Sequence, residues 1–322
     1  MLDLPLSFAP VYHVLVWGGR RMEQWRSDLP AGPVGESWDL ADHPRGMSVV
    51  ADGPHAGKTL QELTRAHGRD LVGPGFSGGD FPLMIKLIDA NDRLSVQVHP
   101  DDALAQSLGV AARGKTECWF MLADGGALYS GCVPGTDRAA FASALAAGTV
   151  DRLLAQHPAN TGDFFFLPAR TVHALGAGCL LYEVQQTCDV TFRLHDWGRV
   201  GLDGKPRQLH VQESLATIDF SASSGATGGV LAAHPAGGQA RPLASCPYFT
   251  VEERRIPAGD RTGGGGDACC IVICHGGSGR LATAAGAVPL AAMQTRLVPW
   301  QAGTWTAEAT TDLRLLIATP RW

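Results

Sequence analysis

Polar and apolar residues alternate strictly along the strand-like segment Leu94–His99. On a β-strand, Ser95, Gln97 and His99 would share one face, because successive side chains point to opposite sides. A half-solvated strand would explain the same alternation if the segment stood alone. The imidazole and the amide oxygen nevertheless make this face a candidate for metal or ligand binding.

Two further segments carry groups of the same kind. Lys115 and Glu117 lie two residues apart at the start of an apolar run, although a solvated strand end would explain that pair equally well. His173 lies in a turn-rich segment that follows the apolar run Asp163–Leu167. Two neutral imidazoles, a carboxylate and an amide oxygen would form a mixed N/O site suited to zinc or a similar divalent ion.

Arg193 stands in the middle of an apolar strand-like run. Alternation places it on one face with Thr191 and His195. An arginine is costly to bury unless it meets an anion. Two interpretations remain open: an ion pair with Asp196 or Asp189, or an anchor for an anionic or electron-rich substrate.

These segments together resemble type I mannose-6-phosphate isomerase, in its short bacterial, cupin-like form. The matching stretches occur in the family's order and span roughly residues 10–220. They are Val16-Trp-Gly-Gly19, Gly35-Glu-Ser-Trp38, Leu94-Ser-Val-Gln-Val-His-Pro-Asp-Asp102, Gly114-Lys-Thr-Glu117, Leu167-Pro-Ala-Arg-Thr-Val-His173, and Asp189-Val-Thr-Phe-Arg193 with Asp196-Trp197.

The resemblance implies a cupin-type jelly-roll β-barrel with one metal ion, usually zinc, in its mouth. The ligands it implies are Gln97, His99, Glu117 and His173. It also places Ser95, Lys115 and Arg193 in the substrate site, with Arg193 and Lys115 in catalytic roles. Inward side chains from several strands converge on one cavity in such barrels, which suits a metal site.

The reaction that the resemblance implies is the interconversion of mannose 6-phosphate and fructose 6-phosphate through an enediol. A divalent cation and Arg193 would stabilise the negative charge that develops. The group that removes the C2 proton is left open among a metal-bound water, Lys115 and His195. Glu117 is a poor candidate, because a metal would stabilise its ionised form.

Two alternatives remain. Cys188, Phe192 and His195 depart from the residues common in the family, which leaves open an isomerase of a different or unphosphorylated sugar. A non-catalytic metal-cupin that binds a phosphosugar is the second alternative. It predicts the loss of the catalytic Lys or Arg, and both residues are present.

The elements that would position these residues are mostly short strands, with short helices inserted between them. The predicted organisation is a metal-binding catalytic cupin domain over 1–220 with helices at about 59–67, 100–108 and 137–156, a linker over 221–238, and a smaller, degenerate cupin-like β domain over 239–322. A capping box of Thr59 and Glu62 begins the first helix, and Gly68 is predicted to end it.

Composition excludes several other classes of protein. The net charge of -5, without a long run of one sign, argues against nucleic-acid binding. No apolar run approaches the length of a membrane span, and the amino terminus lacks a basic export region, so we expect a cytoplasmic protein without membrane partners. The eight cysteines are expected to be reduced. Adjacent Cys269 and Cys270 would face opposite sides of a strand, so Cys269, Cys270 and Cys274 are not expected to bind a metal.

Overall fold

The computed structural model describes residues 1–221, 228–229 and 240–322. In this part of the chain strands predominate, which confirms the predicted mostly-β class. The strands are β1 (Phe8–Ala9), β2 (Val11–Gly19), β3 (Val34–Leu40), β4 (Val49–Val50), β5 (Leu83–Ala90), β6 (Val96–Val98), β7 (Glu117–Met121), β8 (Gly126–Cys132), β9 (Leu154–Ala159), β10 (Phe164–Leu167), β11 (His173–Leu175), β12 (Cys179–Gln186), β13 (Phe192–His195), β14 (Gly228–Gly229), β15 (Arg241–Ser245), β16 (Phe249–Ile256), β17 (Arg261–Gly264), β18 (Cys270–Gly276), β19 (Ser278–Thr283), β20 (Gly286–Ala291), β21 (Gln294–Val298), β22 (Trp305–Ala309) and β23 (Leu313–Pro320). The helices are α1 (Leu60–Val72), α2 (Asp102–Ser107), α3 (Arg138–Ala146) and α4 (Val211–Thr217), with 3-10 helices over Arg21–Gln24, Gly53–His55, Val150–Leu153 and Trp300–Ala302.

Within the described residues the strands form five sheets. A seven-stranded sheet has the order β14-β10-β7-β12-β5-β2-β3, and a five-stranded sheet has the order β13-β6-β11-β8-β9. A second five-stranded sheet runs β15-β16-β23-β18-β21, a four-stranded sheet runs β17-β22-β19-β20, and β1 pairs with β4. The pairs β7–β10, β7–β12, β6–β11 and β6–β13 are all antiparallel.

The contacts group the chain into two compact units. One comprises Met1–Val11, Trp38–Ile85 and the described residues from Ala240 onward, and the other comprises Tyr12–Ser37 and the described residues from Lys86 to Gly229. The linker predicted over 221–238 lies almost entirely outside the described residues. The division of the chain into domains on either side of it therefore stays a prediction.

Each unit has its own apolar core. In the unit that contains β7 and β12, a buried cluster joins Trp119, Phe165 and Leu181 of the seven-stranded sheet to Leu128 and Leu175 of the neighbouring five-stranded sheet. Side chains from two sheets thus pack against one another, as in sheet-on-sheet architectures.

The unit that contains the carboxy-terminal strands is built on the same plan. Val272 and Leu315 of one sheet pack in a single cluster with Leu281, Trp305 and Ala307 of the other. The core between this pair of sheets is therefore an apolar cluster, and the Arg254 guanidinium lies over its Trp305 ring.

Helix α1 begins as the sequence predicts and ends later. Thr59 accepts a hydrogen bond from the Glu62 amide at 3.1 Å, and the Glu62 carboxylate accepts one from the Thr59 amide at 2.7 Å, which completes the capping box. The predicted stop at Gly68 is not observed: the helix kinks at His67 (φ -130) and continues to Val72. Leu71 and Val72 are fully buried, and their burial favours the additional turn.

The other helical segments are shorter than predicted. Helix α2 lies within the predicted range 100–108 and is capped by Asp101, whose side chain accepts a hydrogen bond from the Leu104 amide at 2.8 Å. The helical region predicted over 137–156 comprises α3, a break at Gly148 (φ +69) and a 3-10 turn. Its last residues belong to β9, because that segment pairs with β8.

All eight cysteines lie in the described part of the chain and are free thiols. Cys270 and Cys274 are buried in the carboxy-terminal core. No helix of the described residues is long and apolar enough to cross a bilayer.

Candidate functional site

Three of the predicted ligands converge at one point. His99 follows β6, Glu117 is the first residue of β7, and His173 is the first residue of β11. Their ligand atoms all lie within 4.8 Å of one another, and all three side chains are buried. The three segments are far apart in the sequence, so only the pairing of the strands brings them together.

Strand β6 organises this arrangement. Gln97, in its middle, is paired with His173 on one side and with Arg193 on the other. Directly opposed residues share a face of the sheet, so these three side chains project the same way. The amide Nε2 of Gln97 lies 3.3 Å from His173 Nε2. Rotation of the amide by 180° presents its oxygen at the same place, so Gln97 fits the fourth ligand position.

Main-chain carbonyls set the tautomers of both imidazoles. His99 Nδ1 lies 2.8 Å from the Val190 carbonyl oxygen, and His173 Nδ1 lies 2.8 Å from that of Thr171. A carbonyl oxygen only accepts, so each Nδ1 carries the proton and each Nε2 presents a lone pair to the cluster. This is the arrangement of a metal-ligating histidine.

Burial keeps both imidazoles neutral. It is the main cause that lowers the pKa of His173 to about 4. Burial also holds the pKa of His99 well below its usual value, with the charges of Lys115 and His173 acting in the same direction. Neutral imidazoles are the form that a metal requires, so the residues present fit a divalent ion.

Lys115 places a buried positive charge beside the cluster. Its Nζ lies 2.7 Å from Glu117 Oε2 and 3.4 Å from His99 Nε2. Burial acts to lower the pKa of Lys115, but Glu117 and Glu183 outweigh it and raise the pKa above its usual value. The ammonium group therefore stays protonated at neutral pH.

A second carboxylate, Glu183, belongs to the same buried network, and the sequence interpretation did not include it. Glu183 Oε1 lies 3.3 Å from Lys86 Nζ and 3.7 Å from Lys115 Nζ, and its Oε2 accepts a hydrogen bond from Trp119 Nε1 at 2.9 Å. Lys86 was missed as well, and its Nζ also lies 3.7 Å from a carboxylate oxygen of Glu36. The sequence does carry a signal, because Lys86 interrupts the apolar run over 83–88 in β5, all of which is buried.

The two buried carboxylates have opposite electrostatic environments. Burial and the neighbouring Glu183 raise the pKa of Glu117. Burial acts to raise the pKa of Glu183 too, but the charges of Lys115 and Lys86 outweigh it and hold that pKa low. A cation bound at the cluster would stabilise the ionised form of Glu117, which is a further reason why this site fits a metal.

Arg193 and Ser95 are joined by a hydrogen bond. Arg193 Nε donates to Ser95 Oγ at 3.2 Å, and its Nη1 donates to the Gln208 carbonyl oxygen at 3.0 Å. Asp196, one of the two ion-pair partners considered from the sequence, instead binds Arg199 at 2.7 Å and Arg207 at 2.5 Å. The Arg193 guanidinium thus donates to a hydroxyl and a carbonyl oxygen, so its charge is suited to an anion or electron-rich group of a ligand.

The three residues that depart from the family pattern have different surroundings. Cys188 is buried, and its carbonyl oxygen accepts a hydrogen bond from the Gln185 amide. Phe192 packs in an apolar core, on the opposite face of β13 from Arg193. The ring of His195 lies against Trp197, with centroids 5.0 Å apart, and partial burial lowers the pKa of His195.

The chain is similar to known mannose-6-phosphate isomerases. The family model described as phosphomannose isomerase type I, catalytic domain, matches residues 6–117. The mannose-6-phosphate isomerase of Streptococcus mutans is 38% identical over 254 residues, which are 78% of this chain and 79% of that protein. A mannose-6-phosphate isomerase of Bacillus subtilis is 39% identical over 222 residues, 68% of this chain and 69% of that protein.

Solved structures show the same similarity. The crystal structure of mannose 6-phosphate isomerase from Bacillus subtilis superposes with a TM-score of 0.83 and 27% identity, over 98% of this chain and 99% of that chain. The apo form from Salmonella typhimurium has a TM-score of 0.75 and 17% identity, over 99% of both chains, which shows the shared fold.

Proposed function

Because the chain belongs to the type I phosphomannose isomerase family, we propose that its buried cluster carries out the family's reaction. The protein is a metal-dependent aldose–ketose isomerase that interconverts mannose 6-phosphate and fructose 6-phosphate through an enediol intermediate. The observation that carries this conclusion is the cluster of His99, Glu117 and His173, whose tautomers and burial suit a metal and which has a lysine beside it.

The resident metal is proposed to be zinc, held by Gln97, His99, Glu117 and His173. Two imidazole nitrogens, one carboxylate and one amide oxygen make a mixed N/O donor set. Zinc accepts four ligands of this kind, and nothing in the set requires a softer metal. When bound, the metal would supply Lewis acidity at the carbonyl oxygen of the open-chain sugar.

The protein's own residues then supply fixed charge and protons. Arg193 and Ser95 are proposed to bind the substrate, with the guanidinium adding positive charge where the enediolate oxygen becomes negative. Lys115 is protonated, because two carboxylates hold its pKa high. Its proposed role is therefore to donate a proton to a substrate oxygen rather than to remove the C2 proton.

The roles of the carboxylates follow from their partners. Glu183 is held ionised by Lys115 and Lys86, so it is a weak base and serves to keep the two lysines in place. Glu117 is a weak base when it ligates a metal. His195 remains a candidate for the base, since its imidazole has a lowered pKa and is neutral at physiological pH.

The architecture proposed for this function is a cupin-type jelly roll followed by a smaller β domain. Packing of the seven-stranded sheet on its five-stranded neighbour supports the first, and packing of the two carboxy-terminal sheets supports the second. The boundary is proposed between residues 220 and 239. A cytoplasmic location is likewise proposed, and the eight free thiols support a reducing compartment.

An isomerase of another or an unphosphorylated sugar is the second candidate. The family departures at Cys188, Phe192 and His195 favoured it from the sequence. Phe192 faces the apolar core and therefore has no direct route to a sugar in the site. Cys188 and His195 are the two departures that still support this candidate.

A coupled assay tests both candidates and the requirement for metal. Ketose formation is measured with mannose 6-phosphate and with mannose, before and after removal of metal by a chelator. We expect turnover of mannose 6-phosphate that disappears on chelation and returns with added zinc. If mannose is turned over and mannose 6-phosphate is not, the substrate is the unphosphorylated sugar. If neither sugar yields ketose, the assignment of an isomerase is wrong.

A further inference from the structure

Gln185 is a buried polar residue with an unused acceptor. It lies near the end of β12 and is fully buried. Its side-chain Oε1 has no hydrogen-bond partner among the residues that the structure describes. Buried amide oxygens without a partner are rare, because burial removes the hydrogen bonds that water would make.

The orientation of this amide is fixed by its nitrogen. Gln185 Nε2 donates to the Gln186 carbonyl oxygen at 3.0 Å and to the Cys188 carbonyl oxygen at 2.5 Å. Both partners are acceptors only, so rotation of the amide by 180° would set oxygen against oxygen. The free group is therefore an oxygen, and the unmet requirement is for a hydrogen-bond donor.

Strand pairing places the Gln185 side chain beside the cluster of His99, Glu117 and His173. Gln185 is directly opposite Glu117 in the β7–β12 register, and Glu183 is opposite Trp119. Directly opposed residues share a face and have neighbouring Cβ atoms. Gln185 therefore belongs to the same face as Glu117 and Glu183, which carry the buried charges of the site.

The next residue provides an internal comparison. Gln186 faces the other side of β12, and both ends of its amide are occupied: Oε1 accepts from the Thr116 amide at 2.9 Å, and Nε2 donates to Asp102 at 3.0 Å. Two adjacent buried glutamines thus differ in one respect. The glutamine that faces away from the cluster is satisfied by the protein, and the one on the cluster's face is not.

We propose that Gln185 is a substrate-binding residue whose Oε1 accepts a hydrogen bond from a hydroxyl group of the bound sugar. This inference rests on the proposed function, which puts a polyhydroxylated substrate at the cluster. Of the groups on a sugar phosphate, a hydroxyl fits this oxygen because it donates a hydrogen bond, whereas a phosphate dianion only accepts. The residue would thereby select the position or configuration of one hydroxyl.

Deletion of single hydroxyls from the ligand tests this proposal. Dissociation constants are measured by calorimetry for mannose 6-phosphate and for each of its monodeoxy analogues, with the metal-loaded wild-type protein and with Gln185→Met. In the wild type, we expect removal of one particular hydroxyl to weaken binding about 3- to 10-fold through loss of the bond to Gln185. In Gln185→Met that penalty should disappear, because the methionine side chain has no amide oxygen.

Gln186→Met is the matched control, since it removes a glutamine of similar burial that faces away from the cluster. It should keep the wild-type penalty for every analogue. A purely structural role of Gln185 would weaken binding of all the ligands by one common factor and leave the penalties intact, and that result would overturn the proposal.

A second measurement uses the wild-type protein, so it does not require any variant to fold. In a crystal structure of the wild-type protein with mannose 6-phosphate, a sugar hydroxyl should lie within hydrogen-bond distance of Gln185 Oε1. A water or no atom at that position would overturn the proposal. Turnover in the coupled assay is a separate result: an active wild type without this contact rejects only the role of Gln185, and an inactive wild type rejects the function itself.

Discussion

Two regions of this protein are built from similar strands but have different interiors, one polar and one apolar. On one face of β7 and β12, Glu117, Trp119 and Glu183 contribute charge and hydrogen-bonding groups to a buried interior. On β18 and β23 of the carboxy-terminal sheets, Val272 and Leu315 contribute apolar groups to a buried core. Alternation of side chains along a strand builds both regions, and only the chemistry of the inward positions differs.

The comparison shows what a buried site requires beyond a fold. The buried charges beside the cluster of His99, Glu117 and His173 have partners of opposite sign: Lys115 meets Glu117, and Glu183 meets Lys86. A buried charge without such a partner would cost several kcal/mol. The apolar region has no such constraint, so its substitutions should affect stability and leave chemistry intact.

The largest expected loss of activity follows substitution in the cluster of His99, Glu117 and His173. His99→Ala removes a proposed ligand whose tautomer is set by the Val190 carbonyl oxygen. We expect loss of bound metal in elemental analysis and a fall in kcat of about a thousandfold or more in the coupled assay, because several kcal/mol of charge stabilisation disappear. His157→Ala, on β9, is the control and should keep metal and activity. Full metal occupancy in His99→Ala would remove this residue from the ligand set.

The next effect is at the buried lysine. Lys115→Met keeps the length of the side chain and removes its charge, so it should lower kcat by about 10²- to 10³-fold while the metal stays bound. Lys58→Met changes an exposed lysine and should have no effect on kcat. Steady-state kinetics, with metal content measured on the same samples, checks the prediction. An unchanged kcat in Lys115→Met would show that Lys115 serves only as the structural ion-pair partner of Glu117.

Substitutions in the apolar core of the carboxy-terminal sheets are expected to lower stability and to leave activity unchanged. Leu315→Ala leaves a cavity in the carboxy-terminal core and should lower the free energy of unfolding by about 2–5 kcal/mol. Chemical denaturation measures this loss, and kcat of the folded protein should stay within about twofold of the wild type. A large loss of kcat at a temperature where the variant is folded would contradict the proposed separation of roles.

The smallest effects are expected at the carboxy-terminal thiols. Burial raises the pKa of Cys270 to about 12 and that of Cys274 to about 11, so neither forms a reactive thiolate at neutral pH. Alkylation mapped by mass spectrometry should modify the partly exposed Cys246 first and reach the two buried thiols only on unfolding. Cys270→Ala should leave metal content unchanged. Rapid modification of Cys270 in the native protein would contradict its placement in the core.

The sequence alone predicted the residues that carry distinctive motifs. His99, Glu117 and His173 each stand in a recognisable stretch, and the structure brings them together. The capping box of α1 was likewise predicted from Thr59 and Glu62, because it depends on residues only three positions apart. Local patterns of this kind are readable before any strand pairing is known.

Residues defined by their partners were harder to predict. Glu183 and Lys86 are single charged residues in separate strands, and they become a pair only through the arrangement of the sheet. Gln185 and Gln186 are identical in type, so only strand register and hydrogen bonding tell them apart. The end of α1 was predicted too early, because the burial of Leu71 and Val72 outweighs the local preference of Gly68.

The hydrogen bonds that set the two histidine tautomers have a consequence for mutational tolerance. Their acceptors are the main-chain carbonyl oxygens of Val190 and Thr171, which every amino acid carries. No side-chain replacement at these two positions deletes the acceptor, in contrast to sites where a carboxylate holds the histidine. The orientation of His99 and His173, the two proposed histidine ligands, should therefore tolerate side-chain replacement at residues 171 and 190.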